Sequence, residues 1–176
     1  MVIETDRLIL RRWEDRDVAP YAALTADARV MDWLGGTLTA DHAADHIAGM
    51  DDHFEDFGYG RYAIERKADG AFLGYAGVAR IWPGLPVSGA EAGWRLAHEH
   101  WGQGYATEAA RAAIAEALNR FGLPEVLAFT AETNLRSQAV MQRLALARDP
   151  SRDFDHPRLP PGDPLRRHLV FVARGA

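Results

Sequence analysis

The stretch from Glu91 to Glu108, E-A-G-W-R-L-A-H-E-H-W-G-Q-G-Y-A-T-E, limits what this chain can fold into more than any other. Ala92, Trp94 and Leu96 alternate as the apolar face of a strand. Trp101-Gly102-Gln103-Gly104-Tyr105-Ala106 follows, and an alanine-rich helical pattern starts at once. Two glycines let the backbone turn tightly with its N–H groups converging, and the helix adds its free first-turn N–H groups and positive dipole end. Such a turn is a nest for a phosphate or pyrophosphate, although glycine pairs also end strands and allow close helix packing. Thr107 stands where a dinucleotide fingerprint has its third glycine, and no Gly-Lys-Ser/Thr follows, so neither that fingerprint nor a P-loop fits.

Around this centre the chain reads as alternating strands and helices. Arg7 to Trp13 is a first strand, and a helix runs through Tyr21 and Leu24. Val30 to Leu38 is aromatic and broken by glycines, and Thr39 starts a second helix through Ile47, Met50 and Phe54. Tyr59–Arg66 and Phe72–Arg80 are strands joined by Ala68-Asp69-Gly70, a hairpin signal. Pro83-Gly84-Leu85-Pro86 makes 81–90 a loop, where Trp82 can line a pocket or cover the sheet edge. Apolar positions 106, 109, 110, 113, 114, 117, 118 and 121 predict a helix whose inner face is mostly alanine, ended by Gly122 and Pro124. Val126–Thr130 is the next strand, expected parallel to the one from Glu91, and Asn134 caps a last helix with the stripe Ser137, Val140, Met141 and Leu144. Five prolines between Asp149 and Pro164 forbid a helix or inner strand there, and Arg167–Ala173 closes the chain as a strand. The expected whole is a single α/β (α+β) domain over residues 1–176, a twisted mixed sheet of about six or seven strands with about four helices.

Charge and composition narrow the partners. With 25 acidic and 20 basic residues the net charge is −5, which disfavours nucleic acid. There are no cysteines, so thiolate catalysis and disulfides are excluded. No apolar run has the length of a membrane span, and the cytoplasm is the expected location. His42 and His46 are spaced i,i+4 on the second helix, but no third ligand accompanies them, so no metal is expected.

Three motifs in order resemble the GNAT N-acetyltransferases: T-D-R-L-I-L-R at Thr5–Arg11, the glycine turn, and Asn134-x-x-Ser137-x-x-Val140-Met141. The family turn reads Arg/Gln-x-x-Gly-x-Gly/Ala, and Trp101 departs from it at the first position. W-G-x-G-Y-A-T-E-A is similar to the RimJ/RimL-like branch, the ribosomal-protein alanine and serine acetyltransferases. The resemblance implies acetyl-coenzyme A as co-substrate, its pyrophosphate on Gly102, Gln103, Gly104, Tyr105, Ala106 and Thr107. The pantetheine arm would lie near Trp94 and Leu96, with Asn134 in contact. It also implies an oxyanion hole at the splayed end of the strand from Glu91 and direct transfer of the acetyl group to an amine.

Ser137 would protonate the leaving thiolate; alternatively it is only the third residue of a capped helix. Glu91 would take the amine proton, against the alternative of a solvated strand end. His98, His100 and the Asp153/Asp155/His156 group are other candidate bases. Trp33, Trp82, Asp153 and His156 are candidate acceptor residues. The aspartates in 30–38 and 149–164 suggest an acidic rim and so a cationic acceptor, a peptide N-terminus or a small amine. Ala145 stands where the family usually ends the last helix with glycine. A non-catalytic acyl-coenzyme A sensor on the same fold is the rival reading, and a homodimer is a candidate assembly that the sequence does not decide.

Overall fold

The computed structural model describes residues 2–33 and 35–175; Leu34, inside the glycine-broken stretch 30–38, lies outside them. In chain order the elements are β1 (Val2–Glu4), β2 (Leu8–Arg11), α1 (Val18–Ala26), α2 (Ala28–Met31), α3 (Ala40–Phe57), β3 (Arg61–Arg66), β4 (Phe72–Arg80) and β5 (Ala90–Leu96). Then come α4 (Tyr105–Asn119), β6 (Glu125–Ala131), α5 (Leu135–Arg143), β7 (Ala147–Arg148), β8 (Phe154–Asp155) and β9 (Arg167–Arg174).

The strands form one sheet of nine in the order β1-β2-β3-β4-β5-β6-β9-β7, with β8 on β9. The expected count of six or seven was short because β1, β7 and β8 have two or three residues each, too few for an alternation to show. The helix α2, four residues long, escaped for the same reason. The segment 149–164 carries β8 and a 3₁₀ turn at Pro150–Arg152, so it is more regular than a plain loop.

The alanine face of α4 (Ala109, Ala110, Ala113, Ala117) is buried on the sheet, where small side chains allow helix and strands to approach closely. On the other face α1 and α3 pack Tyr21, Leu24, Ala43, Ile47 and Met50 over Ala63 and Tyr75. Thr39 caps α3 by accepting from the His42 N–H, as its place before the helical pattern predicts. Among the described residues no helix is long and apolar enough to cross a membrane.

Every neighbouring pair in the sheet is antiparallel except β5 and β6. These two run parallel and pair only at Glu91 with Leu127. Beyond that point β5 keeps β4 on one side, down to Leu96 opposite Gly74, and separates from β6 on the other. The sheet therefore opens into a wedge whose apex is Glu91, with the turn into α4 at its wide end.

Candidate active site

The turn at the wide end of the wedge is built from backbone. Gly102 (φ 75°) and Gly104 (φ 82°) are both left-handed, a conformation that side chains with a Cβ rarely adopt, and Gly104 is the N-cap of α4. No side chain caps this helix, which leaves its first-turn amides at Tyr105, Ala106 and Thr107 to face outward. The space around Gly102 is open, with no atom within 4 Å of where a Cβ would stand. A phosphate group fits such a cradle without any basic side chain.

The first motif of the chain braces this turn. Arg7 donates from Nε to Glu108 Oε2 (2.7 Å) and from Nη1 to the Gln103 carbonyl (3.0 Å). Thr5 Oγ1 and the Arg7 amide both donate to Glu108 Oε1 (2.6 and 3.0 Å), and the Arg7 guanidinium lies 4.5 Å from the centre of the Tyr105 ring. Burial pushes the Glu108 carboxyl up, but Thr5 and Arg7 outweigh it and hold the group below the usual range. Trp101, the departure from the family pattern, donates from Nε1 to the Leu96 carbonyl (2.8 Å) and is covered by Arg136 of α5 at 4.7 Å. Its indole thus ties the end of β5 to the turn and to the start of the last helix.

Several of the expected cofactor residues have side chains committed elsewhere. Tyr105 and Leu96 are core residues, buried with Leu8, Tyr62 and Leu73, and Gln103 Nε2 is turned back onto the Glu99 carbonyl. Trp94 is partly buried between two core clusters. Asn134 is held at both ends, accepting from the Ser137 amide (3.2 Å) and donating to Thr130 Oγ1 (3.0 Å). Ser137 is therefore the third residue of a capped helix, half-buried, and its hydroxyl makes no hydrogen bond among the described residues.

On the sheet face under α1 and α3, a pocket of about 250 Å³ opens beside the apex of the wedge. It is lined by His46, Gly49, Met50 and His53 from α3, Arg61 from β3, Ala79 and Arg80 from β4, Trp82, and Glu91. Alternation puts Glu91, Gly93 and Arg95 of β5 on this face. Arg61 reaches across to Glu91 with a hydrogen-bonded ion pair, and it passes within 3.4 Å of the Cβ position of Gly93. Any larger residue there would press on the guanidinium. Burial pushes the Glu91 carboxyl above its ordinary range, while Arg61 pulls it back. A relay runs behind the pair: Arg95 Nη1 donates to the Tyr21 hydroxyl (3.3 Å), which meets His46 Nδ1 at 2.7 Å. Burial, with Arg95 and Arg61 nearby, lowers His46 to about 4. The ring is then neutral near pH 7, accepts the Tyr21 proton at Nδ1, and has that nitrogen committed, unlike a metal ligand.

The structure brings Glu91 and Trp82 together in the pocket and leaves Trp33, Asp153 and His156 out of its lining. Asp153 is pinned by Arg148 (2.5 Å) and the Val170 amide (2.9 Å), which makes it a strut of the tail. His156 Nδ1 accepts from the Arg158 amide and its ring meets His168. The tail reaches the pocket mouth through Arg158, stacked 3.9 Å from the Trp82 ring centre. Along the tail the acidic rim does not form. Asp149, Asp153 and Asp155 are paired with Arg152, Arg148, Arg166 and Arg167, and Asp163 caps the Leu165 amide. Tyr21, His46, Arg61 and Arg95 are the site residues that sequence reasoning missed. For Arg61 and Arg95 the signal was a charge at an inward strand position, as Arg95 is two residues from Gly93 and four from Glu91.

Comparison with known proteins gives a consistent result. A family model described as an acetyltransferase (GNAT) domain matches residues 7–146. The YkkB protein of Bacillus subtilis (strain 168) is 30% identical over 144 residues, covering 81% of this chain and 83% of YkkB. The crystal structure of an acetyltransferase from Agrobacterium tumefaciens str. C58 superposes with a TM-score of 0.81 at 27% identity, over 99% of this chain and 95% of that one. RimL, a ribosomal L7/L12 α-N-protein acetyltransferase solved in complex with coenzyme A, shares the fold with a TM-score of 0.78 at 17% identity, over 99% and 98%.

Proposed function

This chain belongs to the GNAT acetyltransferase family and is an acyltransferase, and from that premise we propose that it moves an acetyl group from acetyl-coenzyme A to a primary amine. The acceptor is a peptide N-terminus or a small amine. The observation that carries the reading is the single Glu91–Leu127 pairing of β5 with β6. It opens a wedge that leads from the amide-lined turn at Gly102–Thr107 to a pocket holding a buried carboxylate. RimL's complex with coenzyme A on the same fold supports the choice of donor.

Acetyl-coenzyme A would supply an acetyl group activated as a thioester. Amides of 102–107 would hold its pyrophosphate, and the edge of β5 left free past Glu91 would offer a backbone N–H to the carbonyl oxygen. Glu91 takes a proton from the acceptor's ammonium. Its raised pKa makes it a stronger base than an exposed glutamate, and Arg61 holds it in place. An α-amino group, with a pKa near 7.7–8.0, needs less of this help than a lysine amine near 10.4. Ser137 is the residue whose hydroxyl can give up a proton on the other side of the wedge. The reading takes residues 1–176 as one acetyltransferase domain acting in the cytoplasm, and light scattering would tell a monomer from a homodimer.

The test is free-thiol release from acetyl-coenzyme A with a panel of amines and of peptides with blocked and open N-termini, the products read by mass spectrometry. Acetylated amino groups on open peptides or small amines are expected. Acetylation confined to hydroxyl groups, or to lysine side chains of blocked peptides, would overturn the reading.

A further inference from the structure

The face of the sheet beside the pocket carries more positive than negative charge. Arg61 lines the pocket under α3 and Arg95 lies outside the lining, against Tyr21 of α1; Glu91 is the one carboxylate among the described residues that pairs with either, and it is paired to Arg61. No carboxylate among the described residues lies within ion-pair reach of Arg95, whose contacts are the Tyr21 hydroxyl and the Tyr75 ring at 5.4 Å. The Nε atoms of Arg61 and Arg95 are both buried and make no hydrogen bond. Arg80 joins the lining of the pocket but is exposed; it has no carboxylate partner among the described residues and lies over the Phe57 ring at 5.2 Å. The histidine between them, His46, adds no negative charge.

A buried guanidinium without a counter-ion is costly, and buried donors left without acceptors add to that cost. The arrangement persists at low cost only if an anion completes it for part of the working cycle. Every other buried or half-buried arginine among the described residues (Arg11, Arg12, Arg61, Arg66, Arg152 and Arg166) is paired with a carboxylate, so Arg95 stands apart. The volume, about 250 Å³, is below that of pockets built for drug-sized ligands and suits a small molecule.

We propose that the acceptor is a primary amine carrying a carboxylate close to its amino group, as free α-amino acids do, with the carboxylate held by the arginine face and the amine presented to Glu91. This rests on the acetyl-transfer reading above and deepens it. The positive sign is the reverse of that suggested by counting aspartates along the sequence, because the tail aspartates Asp149, Asp153 and Asp155 are spent on Arg148, Arg152, Arg166 and Arg167. Arg95 is a positioning residue in this scheme, acting through charge and through Tyr21.

The experiment compares free L-amino acids with their α-amides as acceptors, by initial rates of thiol release, and adds short open peptides beginning with aspartate or glutamate as a second source of the same chemistry. Free amino acids are expected to exceed their amides by about tenfold or more in kcat/KM, since a site built for a charged group rejects the analogue that lacks it. Arg95→Gln should bring the acid-to-amide ratio toward one through KM, and Arg95→Lys should restore part of it. Amides used as well as or better than the acids overturns the proposal. A preference confined to the acidic peptides supports the carboxylate requirement and assigns its source to the side chain of a peptide's first residue. If Arg95→Gln fails to fold, the wild-type comparison decides alone. If no amine of either kind releases thiol, the acetyl-transfer reading fails instead, and calorimetric titration of the same acids and amides into the protein then decides the charge of the ligand.

Discussion

Arg7 and Glu108 stand 101 residues apart and meet in a charge-assisted pair, Arg7 Nε to Glu108 Oε2 at 2.7 Å, that fastens the N-terminal strand turn to the first turn of α4. The same carboxylate accepts from Thr5 Oγ1 and the Arg7 amide, and Arg7 continues to the carbonyl of Gln103 between the two glycines. Two motifs that look independent along the chain, T-D-R-L and G-Y-A-T-E, are thus the two halves of one clamp.

Removing that clamp should loosen the turn before it unfolds the protein. Glu108→Ala takes away three hydrogen bonds to a charged group, each worth about 1.5–3 kcal/mol at most and less here because Arg7 is half exposed. The expected loss is about 2 kcal/mol in urea unfolding, with the KM for acetyl-coenzyme A rising more than the KM for the amine.

Ala145 is the only residue other than glycine with positive φ among the described residues, at 56°. The amides of Leu146 and Ala145 donate back to Met141 and Gln142 (3.1 and 2.9 Å), so α5 ends in the capping motif that usually has glycine at this place. Ala145→Gly should stabilise the protein by roughly 1 kcal/mol, the strain of a Cβ in the left-handed region less the extra backbone entropy. Thermal unfolding would read this as a rise in Tm; a fall would mean the end of α5 tolerates alanine without strain.

Acid should weaken the fold through His46. Its pKa drops from the model-peptide value 6.5 to about 4 on folding, first through burial and then through Arg95 and Arg61. The unfolded chain therefore binds more protons between those values, so stability present above about pH 6.5 is lost as pH falls toward 4. The loss is about 2 kcal/mol once the solvent reaching this half-buried ring is allowed for. His46→Gln, which keeps an acceptor for Tyr21, should flatten that part of the stability profile measured by denaturant unfolding.

The pair Arg61–Glu91 predicts a shift in the pH–rate profile. Arg61 pulls the Glu91 pKa down against the rise caused by burial. Arg61→Met removes the pull, so Glu91 should hold its proton to higher pH, and the acidic limb of kcat/KM should move upward, with a lower plateau. An unmoved limb would assign the proton transfer to another group.

How much of this was legible in the sequence depends on range. The strand, turn and helix from Ala90 to Asn119 showed because alternation, two glycines and the 3.6 period each speak locally. The parallel β5–β6 pair followed from a strand-helix-strand order. The arginine face did not show, because Arg61 and Arg95 sit in separate strands and meet only when register places Arg61 beside Gly77 and Gly77 beside Gly93. The acidic rim failed for the complementary reason, since a count of aspartates cannot see that Arg148 and Arg152 fold onto them.

The central claim is that the glycine turn holds the donor, and calorimetric titration of acetyl-coenzyme A into the wild type and into Gly104→Val tests it most directly. Gly104 has φ 82°, a conformation in which a β-branched residue is a clear outlier, so valine should swing the first amides of α4 out of line while the rest of α4, packed through Ala109 and Ala113, stays in place. With circular dichroism confirming a folded variant, the predicted result is measurable binding to the wild type and a loss of about tenfold or more, at least 1.4 kcal/mol, in Gly104→Val. Equal affinity in the two proteins, or no binding to the wild type, would contradict the claim.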